Sequence, residues 1–171
     1  LLQEPVHYSA TVAENIGLGC LARSGSLDAV EAAARAAGAA EWIADLPGGY
    51  QQQLRKWFQG GTELSVGQWQ RLAMARAFFR PAEVFLFDEP TSAMDPWAEI
   101  AWLRRLRERT AGKTAIVITH RLTTAMHADV IHVLAEGRLV ESGSHAQLLQ
   151  RGGLYAQSWQ DQRGCSDSGH G

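Results

Sequence analysis

The 171 residues fit one domain, or one large domain with a subdomain, and suffice to bury a sizeable core. Their 16 basic and 18 acidic side chains leave a net charge of -2, without the clustered Lys and Arg excess that a nucleic-acid surface needs. Cys20 and Cys165 share no C-x-x-C pair or His cluster, which argues against a disulfide framework and a structural zinc, and no apolar stretch reaches the roughly 20 residues that span a bilayer.

Leu1-Leu2 reads as the tail of a strand, so the chain is expected to be a fragment. Gln3 then stands at a strand end, before Glu4-Pro5 breaks regular structure. A short helix is expected up to Ile16, with Ser9 or Thr11 as N-cap and Glu14 at the capping-box spacing from Thr11. Gly17 and Gly19 end it. Leu27 to Ala40 is alanine-rich and helical, Glu41 to Leu46 continues as a second short helix, and Pro47-Gly48-Gly49 stops it. With so few β-branched residues, this region reads as a helical subdomain inserted between strands. Gln51 to Phe58 carries no clear pattern.

Gly60-Gly61-Thr62-Glu63-Leu64-Ser65 is a loop that runs into a long helix beginning at Ser65, with apolar Leu72, Ala75 and Phe79 on one face. Ser65 and Gln68 have Ser-x-x-Gln spacing. A capping box explains both residues, and so does a phosphate site, because free N–H groups and the positive end of a helix beside a glycine attract anions. Pro81 closes this helix.

Val84-Phe85-Leu86-Phe87 has no polar face and reads as a strand of a parallel sheet, buried on both sides. Asp88 and Glu89 emerge at its carboxyl end, the edge where open α/β sheets bind ligands, and two carboxylates there suit a divalent metal and an attacking water. Asp95-Pro96 is an N-cap followed by proline at the first helical position. Trp97, Ile100, Leu103 and Leu106 are expected to form the apolar face of the helix that follows. Thr114 to Ile118 is a second buried strand ending in Thr119-His120, and strand, helix and strand together form a right-handed crossover that brings His120 to the edge of Asp88 and Glu89.

Gly112-Lys113-Thr114 imitates the end of the phosphate-loop pattern G-x-x-x-x-G-K-[ST], but Arg107 stands where the first glycine belongs, and the triplet ends a helix and opens a strand. It is a turn, and the chain contains no phosphate loop. Val130 to Leu134 and Arg138 to Glu141 are expected to extend the sheet as two strands joined at Glu136-Gly137. Helices from Ser144 to Gln150 and Leu154 to Gln160 follow, and order is expected to fade from about Arg163 through Gly171.

Several separated motifs together resemble the nucleotide-binding domains of ATP-binding cassette (ABC) transporters, the exporter type most closely, over nearly all of residues 1–160. Leu64-Ser65-Val66-Gly67-Gln68 resembles the signature LSGGQ, with Val66 in place of its first glycine, and Val84 to Glu89 resembles the Walker B strand. Ser92-Ala93-Met94-Asp95 is similar to the D-loop, His120 to the switch histidine and Gln3 to the Q-loop glutamine. Thr11 to Ile16 and Gly137 to Gly143 also resemble exporter sequences, whereas Leu54 to Gln59 departs from them.

The resemblance implies a partial P-loop NTPase fold of the α/β class, with a parallel-sheet core (residues 1–8 and 81–162) and an inserted α-helical subdomain (about 9–80). It implies ATP and Mg²⁺ as cofactors, with Asp88 holding the metal, Gln3 sensing metal and water and coupling the site to the membrane domain, Glu89 orienting or deprotonating the attacking water, and His120 on the γ-phosphate as the third catalytic residue beside Glu89 and Gln3. Ser65, Gly67 and Gln68 would bind nucleotide held by a second ABC ATPase domain in a head-to-tail dimer, with Ser92 and Asp95 at that interface. A transmembrane domain, fused or separate, would be the other partner, at the cytoplasmic face of a membrane. The phosphate loop and the adenine-stacking aromatic would precede Leu1, so this chain alone is expected to bind ATP poorly and to be inactive. Two other readings remain open: a non-hydrolytic subunit donating only its signature surface, and a soluble ABC ATPase of DNA maintenance.

Overall fold

A computed structural model describes residues 1, 4–54, 61–92 and 94–167, with side chains as far as 162. Its described residues divide into two units, Leu1–Ile118 and Thr119–Gly171.

The first unit begins at the sheet. The Leu1 amino nitrogen donates to the Leu86 carbonyl at 2.8 Å, and the Leu1 carbonyl accepts from the Asp88 N–H at 3.0 Å, so Leu1 pairs alongside β1 (Val84–Asp88) as the tail of a strand would. Strand β1 pairs in parallel with β2 (Thr114–Ile118), Val84 opposite Thr114 and Asp88 opposite Ile118. The connecting helix α5 (Pro96–Arg109) completes the strand–helix–strand crossover.

The helices preceding β1 follow the local signals. Helix α1 (Val12–Gly17) starts at Thr11, whose hydroxyl accepts from the Glu14 N–H at 3.1 Å while the Glu14 carboxylate accepts from the Thr11 N–H at 2.8 Å. Each closes an N–H group that a helix start otherwise leaves unpaired. Helices α2 (Leu27–Ala36) and α3 (Ala40–Ala44) follow, then α4 (Val66–Phe79). The ambiguous stretch after Pro47 forms a short 3-10 turn, Gly49–Gln51, and isolated bridges from Gln53 to Thr11 and from Leu54 to Thr62. Arg55 to Gly60 lie outside the described residues.

Helix α4 is the packing centre. Leu72, Ala75 and Phe79 are buried as their spacing requires, and so are Trp69, Met74 and Phe78. Phe78 meets Phe85 and Phe87 of β1 edge-on, at 6.1 and 5.9 Å between ring centroids, and Phe87 meets Trp102 of α5 at 5.9 Å. These edge-to-face pairs add to the area the rings bury. Arg76 turns inward on the same helix: Nε donates to the Asn15 carbonyl at 2.9 Å, one terminal nitrogen to Asn15 Oδ1 at 3.0 Å, and the guanidinium lies over the Tyr8 ring. Burial pushes its pKa down, with Tyr8 opposing.

Four expectations are corrected in the described residues, the last of them at the end of α8. Strand β1 is not covered on both faces: Phe85 and Phe87 are buried, whereas Val84 and Leu86 are 59% and 52% exposed, because the helices of this unit lie against one side only. Strand β2 is likewise mostly exposed. In α5 half of the expected face is realised: Leu106 is buried and Leu103 packs against the core, but Trp97 and Ile100 are exposed and Glu99 and Trp102 turn inward. A step of three lags the about 3.6-residue turn and drifts round the helix, whereas the i, i+3, i+7 set stays on one side.

The second unit contains α6 (Leu122–Ala125) and an antiparallel pair, β3 (Ile131–Ala135) and β4 (Arg138–Gly143). The third correction concerns this pair, which forms its own two-stranded sheet rather than extending β1–β2. Glu136 and Gly137 carry φ of 49° and 73°, the left-handed dihedrals of a two-residue type I′ hairpin, and such a hairpin satisfies its two strands by pairing them with each other. Helix α7 (His145–Arg151) has a Ser144–Gln147 capping box, and α8 (Leu154–Asp167) is anchored by the Glu141 carboxylate on the Leu154 and Tyr155 N–H groups. The α8 backbone stays helical past Arg163, since adding a residue to an existing helix costs far less than starting one.

Replacing Phe87 with alanine removes the ring that joins α4, β1 and α5. We expect a loss of about 3–5 kcal/mol in denaturant unfolding, far more than for a surface control such as Glu108→Ala.

Candidate functional site

Sequence chemistry places the site at the carboxyl ends of β1 and β2, where the strand run stops at Asp88 and Glu89. The Glu89 N–H donates to the Ile118 carbonyl at 2.9 Å, so the two strand ends are tied together at this point. The Glu89 carbonyl accepts from the Ser92 N–H at 3.2 Å and from Gln70 Nε2 at 3.3 Å. Glu89 also has φ of 45°, a left-handed conformation uncommon outside glycine and held at an energetic cost. Both carboxylate residues are half-buried.

The chain then turns. Ser92 is exposed, Ala93 lies outside the described residues, and Asp95 caps α5, its Oδ1 accepting from the N–H groups of Trp97 at 3.0 Å and Ala98 at 2.9 Å. Those bonds, the Ala98 one first, hold the Asp95 carboxyl below the usual carboxylate range. Pro96 follows at the first helical position, where its missing N–H costs nothing.

Ser65 caps α4 through a full capping box: its hydroxyl accepts from the Gln68 N–H at 3.3 Å, and the Gln68 side chain accepts from the Ser65 N–H at 2.9 Å. The structural half of the two readings is therefore realised. The box uses two N–H groups of the first turn and leaves the dipole end facing solvent, with Ser65 exposed and Gly67 half-exposed. Val66 sits at the first helical position outside the left-handed region, so the valine brings no backbone strain, though its side chain is 73% exposed at this entrance.

Gln70, two residues beyond the signature stretch, was not singled out by sequence and is what joins it to Glu89. It is a buried amide whose partner is a backbone carbonyl 19 residues away, and residue types alone give no signal for such a bond. His120 follows Ile118 by two residues but belongs to the second unit, where it is exposed and its carbonyl accepts from Gln162. Gln3 lies outside the described residues.

Among the described residues no group of three His, Cys, Asp or Glu side chains could enclose a metal. Adjacent Asp88 and Glu89 nonetheless fit magnesium, which keeps several waters and is held by one or two carboxylates together with substrate phosphates rather than by a full protein cage. No helix among the described residues is long and apolar enough to cross a membrane.

Comparison with known proteins points the same way. Residues 1–92 match the family model described as ABC transporter. The chain is 43% identical over 161 residues to multidrug resistance protein homolog 65 of Drosophila melanogaster, covering 94% of this chain and 12% of that protein. It is 44% identical over 164 residues to the ATP-dependent lipid A-core flippase of Methylococcus capsulatus, covering 96% and 27%. A solved bacterial Atm1-family ABC exporter with ATP bound superposes with a TM-score of 0.84 at 41% identity, over 94% of this chain and 27% of the exporter chain. The chain thus spans between about an eighth and a quarter of the length of these relatives.

Because the Asp95 carboxyl is held below its ordinary value, its stabilising effect is fully present above the unfolded-state pKa and is lost as pH falls through the folded one. Acid unfolding of the wild type should therefore steepen below about pH 4, and Asp95→Asn should remove that part of the slope.

Proposed function

The chain belongs to the ABC transporter family, and from that premise we propose that it is the C-terminal part of an ATP-binding subunit that hydrolyses ATP to drive export across a membrane. The single observation that carries the reading is the end of β1: Asp88 and Glu89 in sequence, with Glu89 turned into a left-handed conformation and fixed by bonds from Gln70 and Ser92 and to Ile118.

In this reading Asp88 would hold Mg²⁺ and Gln3 would sense metal and water, and the ion would supply neutralisation of charge on the phosphate oxygens. Glu89 orients or deprotonates the attacking water, a role worth about 10²–10⁴ in rate. His120 contacts the γ-phosphate. Ser65, Gly67 and Gln68, at the positive end of α4, receive the nucleotide held by a second ABC ATPase domain in a head-to-tail dimer, with Ser92 and Asp95 at the same interface. The subunit works at the cytoplasmic face of the membrane, against a transmembrane domain. The residues of this chain alone would not turn over ATP.

The start of α4, with Ser65 and Val66 open to solvent, favours a second reading. A subunit of this kind could serve a complete partner as a signature surface without hydrolysing ATP itself.

The test is steady-state ATPase activity of the full-length protein carrying this segment. Glu89→Gln should lower turnover about 10²–10⁴-fold while ATP still binds, and undiminished turnover would sink the catalytic assignment. For the second reading, ATP-dependent association with a complete partner should be abolished by Ser65→Arg, and association that persists would count against the signature surface.

A further inference from the structure

Gln70 spends a buried amide on Glu89. The residue is 5% exposed within α4, its Nε2 donates to the Glu89 carbonyl at 3.3 Å, and its Oε1 is buried with no hydrogen-bond partner among the described residues. A carbonyl can only accept, so the nitrogen must face Glu89 and the oxygen is the atom left over. An orphaned buried acceptor is unfavourable, and a glutamine kept only for packing would be better replaced by an apolar side chain of the same length.

What the amide secures is the conformation of Glu89. A left-handed glutamate persists only where its surroundings over-determine it, and three hydrogen bonds among the described residues act on this backbone. The bond to Ile118 continues the β1–β2 ladder, and the bond from Ser92 belongs to the local turn. The third, from Gln70, is the one that comes from α4.

We propose that Gln70 is a positioning residue for hydrolysis, setting the Glu89 carboxylate through the Glu89 backbone and making its placement depend on the seat of α4. The inference rests on the assignment of Glu89 as the residue that handles the attacking water. Gln70 does not touch the reacting atoms, so its removal should slow the chemical step and leave nucleotide binding alone. Removal also strands no polar group: the Glu89 carbonyl keeps Ser92, and the orphaned Oε1 disappears.

The experiment compares wild type, Gln70→Met, Glu89→Gln and the double variant in the full-length protein, with turnover normalised to bound nucleotide so that misfolded molecules drop out. Gln70→Met is expected to lower kcat about tenfold, to leave KM for ATP within about twofold, and to unfold at the wild-type temperature or above it. The double variant should be no slower than Glu89→Gln alone, because Gln70 acts through Glu89. Unchanged kcat in Gln70→Met, with Glu89→Gln still impaired, overturns the proposal and leaves the assignment of Glu89 standing. Additive losses in the double variant, or a fall in unfolding temperature together with a rise in KM, overturn it in favour of a packing role. Full activity in Glu89→Gln removes both. Gln70→Leu supplies the same comparison should the methionine variant not accumulate.

Discussion

Phe87 is the contact on which the first unit depends. It lies in β1 immediately before Asp88, fully buried, with Phe78 of α4 on one edge and Trp102 of α5 on another. Packing of this density transmits position, since a buried ring cannot shift without moving its neighbours. The carboxylates therefore inherit their place from three elements at once. The same cluster fixes α4, and with it the capped N-terminus at Ser65 and the amide of Gln70.

Helix α4 consequently joins features that look unrelated in sequence. Its first turn presents Ser65 and Gly67, its second sends Gln70 to the strand end, and its third sends Arg76 to Asn15, Val6 and Tyr8. Arg76 is a half-buried cation satisfied by neutral acceptors and an aromatic face, an arrangement that gives up part of its hydration for several directed bonds. The helix is tethered by directional polar contacts at points along its length, and apolar packing fills the space between them.

What could be read in the sequence was whatever is decided locally. The capping boxes at Thr11 and Ser65, the proline after Asp95 and the turn at Glu136-Gly137 are each settled by a few neighbouring residues, and each took a form its spacing allows. Errors arose where the outcome depends on partners. Val84 to Phe87 has an apolar run fit for cover on both faces, but a run does not say whether both covers are present. The α5 stripe chosen at steps of three lost to Trp102 because Phe87, distant in sequence, decides which face turns inward. Gln70 and Arg76 went unnoticed for a related reason: their partners are mainly backbone atoms, which any sequence supplies.

The left-handed turn at Glu89 also bears on how this position would drift. A descendant freed from the need to activate water would lose the selection for a carboxylate, but the backbone would still be bent at φ of 45° between its ladder bond and its turn bond. Glycine, asparagine and aspartate meet that bend at low cost, whereas β-branched residues meet it at a high one. Lineages that abandoned hydrolysis would be filtered here by shape rather than by chemistry, and the replacements they carry would record the geometry of the strand end after its reaction had gone.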